Sequence, residues 1–431
     1  MKVAVFGLGK LGSPIAAVFA SKRHDVTGVD VNPQFVDSLN RGKAPVEETG
    51  LQALMDKLGG RLRATTNGAS AVAQSELTIM IVPTPSEASG AFALDIILAA
   101  AAEAGRGLKQ RADYGVIVIA STVLPGAVER EIIPALERAS GKKHNVDFGV
   151  CYSPEFVALG NVIHDMLNPD IVLIGESDVR AGDVVEAFYR SVVDNQPAFL
   201  RMNIVNAEVT KLSVNTYVTA KISFANMLAE ICERIPGADA RTVTLAIGRD
   251  SRIGTKFILP GAAYGGPCFP RDNKALSFLA KSVGARARLA EVTDEVNRDQ
   301  HIRLAELAAR NLSPNGQVGI LGLSYKPDAV ISDESAGYHV ARQLIGRSIP
   351  VIAFDPVAMD HAKRLLGDKI AYAPSAEACI AATQVVILAT PWKAFAALDY
   401  GRDRTVIDCW RMIDPARLDV TTSYVALGRA G

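Results

Sequence analysis

Short, almost uninterrupted apolar runs alternate with alanine-rich stretches through the first half of the chain. The runs lie at residues 2–6, 26–30, 77–82, 116–120, 149–152 and 171–174, and helical texture separates them, as at 13–22 and 94–104. Runs this short and this rich in β-branched residues predict strands. Their lack of alternation predicts a parallel sheet covered by helices on both faces.

The texture then changes. Residues 201–235 contain neither Gly nor Pro, until Pro236 and Gly237 intervene. Read as one helix, those 35 residues span ~52 Å, enough to serve as a spine between domains or subunits. After a Gly- and Pro-dense segment at 254–270 and more helical sequence, a second α/β pattern begins. Its expected strands are 317–321, 351–354, 384–388 and 405–409, with helices near 336–345 and 359–366. The pattern therefore divides into an α/β domain over 1–200, a helical middle over 201–312 and a second α/β domain over 313–431. The two α/β halves read as distant echoes of each other. A length of 431 residues agrees with about three domains at ~150 residues each.

Composition narrows the function classes. Lys plus Arg and Asp plus Glu both number 46, so the net charge is zero, without the basic excess expected of a nucleic-acid binder. Five scattered cysteines with no Cys-x-x-Cys pair argue against a disulfide framework or zinc ribbon and fit a reducing compartment. The histidines show no metal-binding spacing, so no metal is expected. No apolar run approaches the ~20 residues of a membrane span, and the expected location is the cytoplasm.

Gly7-Leu8-Gly9-Lys10-Leu11-Gly12 follows the first strand and opens a helix. That is the context in which Gly-x-Gly-x-x-Gly holds a dinucleotide pyrophosphate on a helix N-terminus. Asp30 ends the second strand, 18 residues after Gly12, where a carboxylate bonds an adenosine ribose and repels a 2′-phosphate. NAD is the expected cofactor. Chemistry is suggested by three further groups. Lys211 and Asn215 share one helix face and could hold an oxyanion. Cys268, in Tyr264-Gly265-Gly266-Pro267-Cys268-Phe269-Pro270-Arg271-Asp272, is a thiol beside a cation. Glu155, in Ser153-Pro154-Glu155-Phe156, lies just past a strand end. Taken singly, a solvated helix face and a buried thiol are the better explanations of the first two, and a proline turn is the plain alternative for the third.

Together with Gly42-x-x-Pro45-x-x-Glu48-x-Gly50-Leu51, Pro83-Thr84-Pro85, Ser121-Thr122-Val123-Leu124-Pro125-Gly126, Asp250-Ser251-Arg252-Ile253-Gly254, Gly322-Leu323-Ser324-Tyr325-Lys326-Pro327 and Thr390-Pro391-Trp392, these motifs run in order along nearly the whole chain. So ordered, the chain resembles the UDP-glucose/GDP-mannose dehydrogenase family. The resemblance implies an N-terminal Rossmann domain for NAD, a central helical domain whose long helix makes a homodimer, and a C-terminal Rossmann-like domain for the nucleotide sugar. It implies four-electron oxidation of the sugar C6 hydroxymethyl to a carboxylate through a thiohemiacetal and thioester on Cys268. UDP-glucose is the first choice of substrate, UDP-N-acetylmannosamine or GDP-mannose the alternatives, and polysaccharide precursors the usual destination. Lys211 and Asn215 match the oxyanion pair, Asp272 with Thr122 the base, and Glu155 the acid/base for hydrolysis. Gly7, Gly9, Leu11, Gly12, Asp30, Thr84, Thr122 and Arg271 match cofactor contacts. Arg252, Phe257, Gly261, Gly265 and Lys326 match the substrate wall, joined there by Glu155, Lys211 and Asn215.

Several family positions differ. Leu159 replaces a glutamate, Ile171 an arginine, and Phe35 a basic residue near the adenosine. Trp410-Arg411 replaces Arg-Asn, and Asp333 stands where an arginine approaches the cofactor phosphates. The leucine is reminiscent of the UDP-N-acetylmannosamine branch. Asp333 is expected to weaken NAD binding unless Arg271 or Arg411 offsets its charge. These changes admit a second class of function, a catalytically silent relative that binds nucleotide sugars.

Overall fold

The computed structural model describes residues 1–430. The chain packs as two compact units, Met1–Ser213 and Val214–Gly431.

The first unit is built on an eight-stranded sheet. Its strands are β1 (Lys2–Phe6), β2 (Asp25–Val29), β3 (Leu62–Thr65), β4 (Leu77–Met80), β5 (Gly115–Ile119), β6 (Phe148–Tyr152), β7 (Ile171–Glu176) and β8 (Ala198–Asn203). They lie in the order β3-β2-β1-β4-β5-β6-β7-β8. The central strands are buried along their length, as the apolar runs require. The helix Gly12–Ser21 is buried over Gly12–Ala20, its small residues letting it lie flat on the sheet. One pairing departs from the expected parallel sheet: β6 meets β7 antiparallel, so the β7–β8 pair runs in reverse.

The second unit has a six-stranded, wholly parallel sheet. It is formed by β9 (Val318–Leu321), β10 (Val351–Phe354), β11 (Ala371–Tyr372), β12 (Val385–Leu388), β13 (Thr405–Asp408) and β14 (Ser423–Ala426). Its order, β11-β10-β9-β12-β13-β14, repeats that of the first six strands. The echo extends to the turns. Gly7 (φ +93°) and Gly322 (φ +104°) take left-handed conformations after their strands, and each N–H donates 2.8 Å to the end of the neighbouring strand, at Val29 and Phe354. A methyl on Gly12 would lie 1.7 Å from the Gly7 carbonyl oxygen, and one on Gly337 2.1 Å from that of Gly322. In both halves a second glycine is needed for the helix to close on the turn.

The long helix runs from Ile204 to Cys232, 29 residues rather than the expected 35. Residues 201–203 instead continue β8 and pair with β7. Asn203 makes the boundary, since its side-chain oxygen accepts from the Asn206 N–H at 2.9 Å and so caps the helix. Arg201, on the strand side, is held by Glu176, Asp183 and Glu186. At the other end, turns at Arg234 and Ile235 close the helix before Pro236. Three helices, Ala240–Gly248, Phe269–Ser282 and Arg288–Arg310, belong with the second sheet in one unit.

Candidate active site

In the first unit the strand order changes direction between β1 and β4, and the loops after these strands form a cradle. A methyl on Gly7 would strike the Ile81 carbonyl at 2.5 Å, whereas one on Gly9 would meet nothing within 4 Å. The cradle is therefore tight behind Gly7 and open at Gly9, which fits a pyrophosphate approaching the backbone there. Leu11 packs against the core at the start of the helix that points at this opening. Asp30 Oδ2 accepts from the Leu8 N–H at 2.6 Å, and Oδ1 accepts from the Asn32 N–H at 2.8 Å. The loop thus holds its ribose-reading carboxylate in place while leaving it part-exposed.

The next two loops are tied together. Thr84 Oγ1 donates to the Thr122 carbonyl at 2.7 Å, and Ser121 Oγ to that of Val82 at 2.7 Å. Glu155 follows β6. Its Oε1 accepts from the Tyr189 hydroxyl at 2.8 Å, and its backbone carbonyl accepts from Lys211 Nζ at 2.5 Å. The same ammonium sits 4.3 Å from the centroid of the Phe156 ring. Burial pushes the Glu155 carboxyl up to about 7, against the lowering effects of the Tyr189 hydroxyl and the Lys211 charge. A carboxyl held near neutrality can both give and take a proton at physiological pH.

Lys211 and Asn215 are one turn apart on the long helix and both are buried. In the second unit, Asn215 Nδ2 donates to Asp272 Oδ2 at 2.6 Å, and Arg271 Nε to Asp272 Oδ1 at 3.1 Å. Asp272 is wholly buried. It lies in the first turn of the helix Phe269–Ser282, and Cys268, exposed, is the residue that precedes that helix. Its thiol stands where helix N–H groups favour a thiolate.

The loop leading to Cys268 is held from both sides. The Gly261 N–H donates to Asn226 Oδ1 at 2.8 Å and its carbonyl accepts from Gln300 Nε2 at 2.8 Å. Asn297 bonds both the N–H and the carbonyl of Tyr264, each at 3.0 Å. The Tyr264 hydroxyl donates to Asp294 at 2.5 Å, and Asn273 joins the same pair. A methyl on Gly261 would meet the Trp410 ring at 2.5 Å, and one on Gly265 the Glu334 carbonyl at 2.2 Å. The Gly266 N–H donates to the Asp333 carbonyl at 3.0 Å. These glycines therefore let the cysteine loop lie against the turn that follows β9, the turn that also carries half-buried Lys326.

The other expected residues have different surroundings. Arg252 is exposed and paired with Asp250 at 2.6 Å, and Phe257 is exposed with φ +62°. Arg411 does not offset Asp333, because it is paired in bidentate fashion with Asp239 at 2.6 and 2.8 Å. Asp333 faces the imidazole of His361 instead, at 3.7 Å. Phe35 and Leu159 pack against the first unit's core, which accounts for apolar residues at those positions.

Sequence reasoning missed four supporting carboxylates and hydroxyls. Tyr189 anchors Glu155. Glu48 accepts from the Gly160 and Val162 N–H groups at 2.8 and 2.9 Å and so holds the loop after Glu155. Glu208 accepts from Gly126 and Val128. Asp355, the counterpart of Asp30, accepts from Leu323 and Ser324 N–H groups and the Ser324 hydroxyl at 2.8–2.9 Å. It is 1% exposed, so it serves the turn rather than a ligand.

Three family models cover the chain in succession: the NAD-binding domain of the UDP-glucose/GDP-mannose dehydrogenases over residues 1–193, the central domain over 205–299 and the UDP-binding domain over 319–415. The chain belongs to this family. Among curated members it is 35% identical to UDP-glucose 6-dehydrogenase AglM of Haloferax volcanii over 421 residues, 96% of this chain and 97% of that one. It is 34% identical to GDP-mannose 6-dehydrogenase of Pseudomonas aeruginosa, over 82% of this chain and 81% of the relative. A UDP-glucose dehydrogenase from Pyrobaculum islandicum superposes with a TM-score of 0.90 at 32% identity, covering 99% and 98% of the two chains. This family member is an NAD-dependent oxidoreductase, and its open Gly9 and fixed Asp30 are the local features that suit NAD.

Proposed function

We propose that the chain oxidises the C6 hydroxymethyl of UDP-glucose to the carboxylate in two NAD-linked steps at one site. Cys268 at the head of the helix whose first turn holds Asp272 is the observation that carries this reading, because a simple alcohol dehydrogenase has no use for a thiol there. UDP-glucose is favoured because the sequence similarity to AglM spans 96% and 97% of the two chains against 82% and 81% for the GDP-mannose enzyme, and because the UDP-glucose dehydrogenase structure superposes with a TM-score of 0.90 against 0.57 for GDP-mannose dehydrogenase. Leu159 favours UDP-N-acetylmannosamine as the second candidate.

NAD, when bound, supplies the hydride acceptor for both oxidations. Asp272 takes the hydroxyl proton of the first step, directly or through water, and Thr122 is assigned to assist it. Lys211 and Asn215 hold the oxygen as negative charge develops on it. An ammonium has three donors, so Lys211 can serve the oxygen while keeping its bond to the Glu155 carbonyl. The resulting aldehyde carbon is trigonal and a poor hydride donor. Addition of the Cys268 thiolate, with a proton to the oxygen, makes it tetrahedral, and loss of a hydride and that proton leaves a thioester. Glu155 then removes a proton from water as it attacks the acyl carbon. The C–S bond breaks, returning the thiolate and releasing the acid. Arg252, Phe257, Gly261, Gly265 and Lys326 are assigned to the nucleotide sugar, and Arg271 to the cofactor.

We also propose a homodimer through the long helix. Its exposed Tyr217, Phe224 and Ile231 recur every seven residues, with Met227 beside them. Such an apolar stripe matches a second copy of the same helix, and a sedimentation mass of one chain would contradict it.

The substrate is tested with a panel of UDP-, GDP-, ADP-, CDP- and dTDP-hexoses, followed by NADH absorbance. UDP-glucose should show the highest kcat/KM. A preference for UDP-N-acetylmannosamine or GDP-mannose would move the assignment, and no turnover would sink it.

The role of Glu155 predicts a pH effect. Its carboxyl, pushed up to about 7 by burial, must be ionised to act as base, so acid formation should fall as pH drops below about 7. Glu155→Gln should be slow and lack that acid limb, with thioester accumulating. An unaltered limb in the variant would assign it to another group.

A further inference from the structure

We infer that Glu208 is a positioning residue for the oxidation, clamping the loop that carries Thr122 onto the turn of the long helix that presents Lys211. The inference rests on the function proposed above and adds to it a residue that touches neither ligand.

Glu208 and Lys211 are three apart on the long helix and therefore neighbours along one face. Glu208 is 0% exposed. One carboxylate oxygen accepts from the Gly126 N–H at 2.5 Å and the other from the Val128 N–H at 3.1 Å. These amides begin the helical segment that opens with the wide turn Val128–Ile132 and continues as Ile133–Ser140. That segment has no side-chain cap of its own, since Ala127 precedes it. Its cap comes instead from a helix 80 residues away in sequence. Gly126, at φ +87°, turns its N–H to meet the carboxylate.

The loop from Thr122 to Val128 consequently has two anchors. Thr84 holds it at the Thr122 carbonyl, and Glu208 holds it where the helical segment begins. The second anchor is the one that fixes the loop relative to Lys211. If the segment needed only a cap, a serine or aspartate at position 127 would supply one locally. Burying a carboxylate there is the more expensive solution, and the cost shows in the Glu208 carboxyl, which burial pushes up to about 7 despite both N–H bonds. A carboxylate retained under that cost is understandable if the geometry it imposes is used in the reaction.

Glu208→Gln tests this, because the amide keeps the length but offers one acceptor oxygen and sets an NH₂ against the other N–H. With saturating NAD and sugar, kcat is expected to fall by about tenfold or more while the sugar KM stays within about threefold. Amide hydrogen exchange should quicken around Gly126 and Val128 and stay unchanged in the β9–β14 sheet. An unchanged kcat, or exchange that rises uniformly along the chain, would overturn the inference and leave Glu208 a contributor to stability alone. If the glutamine variant does not fold, Glu208→Asp, which keeps the charge but withdraws it by one methylene, should show the same local exchange and a partial loss of kcat. Unchanged kcat in that variant would overturn the inference equally. Wild-type protein that reduces no NAD with any sugar would instead refute the proposed function, while the exchange comparison would still report on the clamp.

Discussion

Replacing Cys268 by serine is expected to lower acid formation by on the order of 10³-fold or more, while one hydride transfer per sugar survives. A serine hydroxyl is far less acidic than a thiol, and a helix N-terminus does little to ionise it. The aldehyde therefore cannot be trapped efficiently as a tetrahedral adduct, and it either stays bound or escapes. Mixing the variant with NAD and UDP-glucose in a single turnover should give one NADH per sugar and aldehyde that a carbonyl reagent captures. Acid produced at the wild-type rate would show that the thiol takes no covalent part, and the thioester route would have to be abandoned.

The second large effect is expected at Lys211. Lys211→Ala removes the charge proposed to hold the reacting oxygen, and oxyanion donors of this kind contribute about 10²–10³ in kcat. The sugar KM should change much less, because the interaction strengthens as charge develops on the oxygen. The substitution also deprives the Glu155 carbonyl of the donor that reaches it at 2.5 Å. An unpaired buried carbonyl costs about 1–3 kcal/mol, so the melting temperature should drop as well. Lys211→Arg keeps the positive charge but places a planar fork where a compact ammonium sits above the Phe156 ring, and it should restore little activity. A kcat within threefold of wild type in the alanine variant would remove Lys211 from the oxyanion role.

How much of this was legible beforehand depended on how local each signal is. The strands found from apolar runs are all interior to their sheets or next to the interior. The four that the pattern misses, β3, β8, β11 and β14, are the edges of the two sheets. An edge strand packs on one neighbour only and tolerates exposed positions, as in β8 and β14, so its sequence loses the apolar run. The long helix was placed correctly but begun three residues early, because absence of Gly and Pro does not mark a start whereas the Asn203 cap does.

The site divides in the same way. Gly7, Gly9, Gly12 and Asp30 lie within one strand–turn–helix–strand unit, and their spacing alone implies the cradle that the structure shows. The pairing of Asn215 with Asp272 spans 57 residues and carries no local signature. Only the ordered series of family motifs pointed to both. Glu48, Tyr189 and Glu208 lay beyond reach because each acts by bonding a distant loop. Glu48 stood in a family motif without a role, and Glu208 left a trace as the one acid in the stretch from Ile204 to Lys211. Of the two cations expected to offset Asp333, Arg411 is engaged elsewhere for a related reason. Charge type can suggest a pairing, but Arg411 is claimed by Asp239 and His361 occupies the place beside Asp333.

The proposal that one site carries out two successive oxidations is tested most directly by stoichiometry. UDP-glucose in limiting amount is consumed to completion with excess NAD, and NADH is counted against UDP-sugar acid. Two NADH for each acid, with no aldehyde captured by a carbonyl reagent, is the predicted result. One NADH with released aldehyde would make the protein a two-electron alcohol dehydrogenase, and none would make it a silent binder; either would contradict the account.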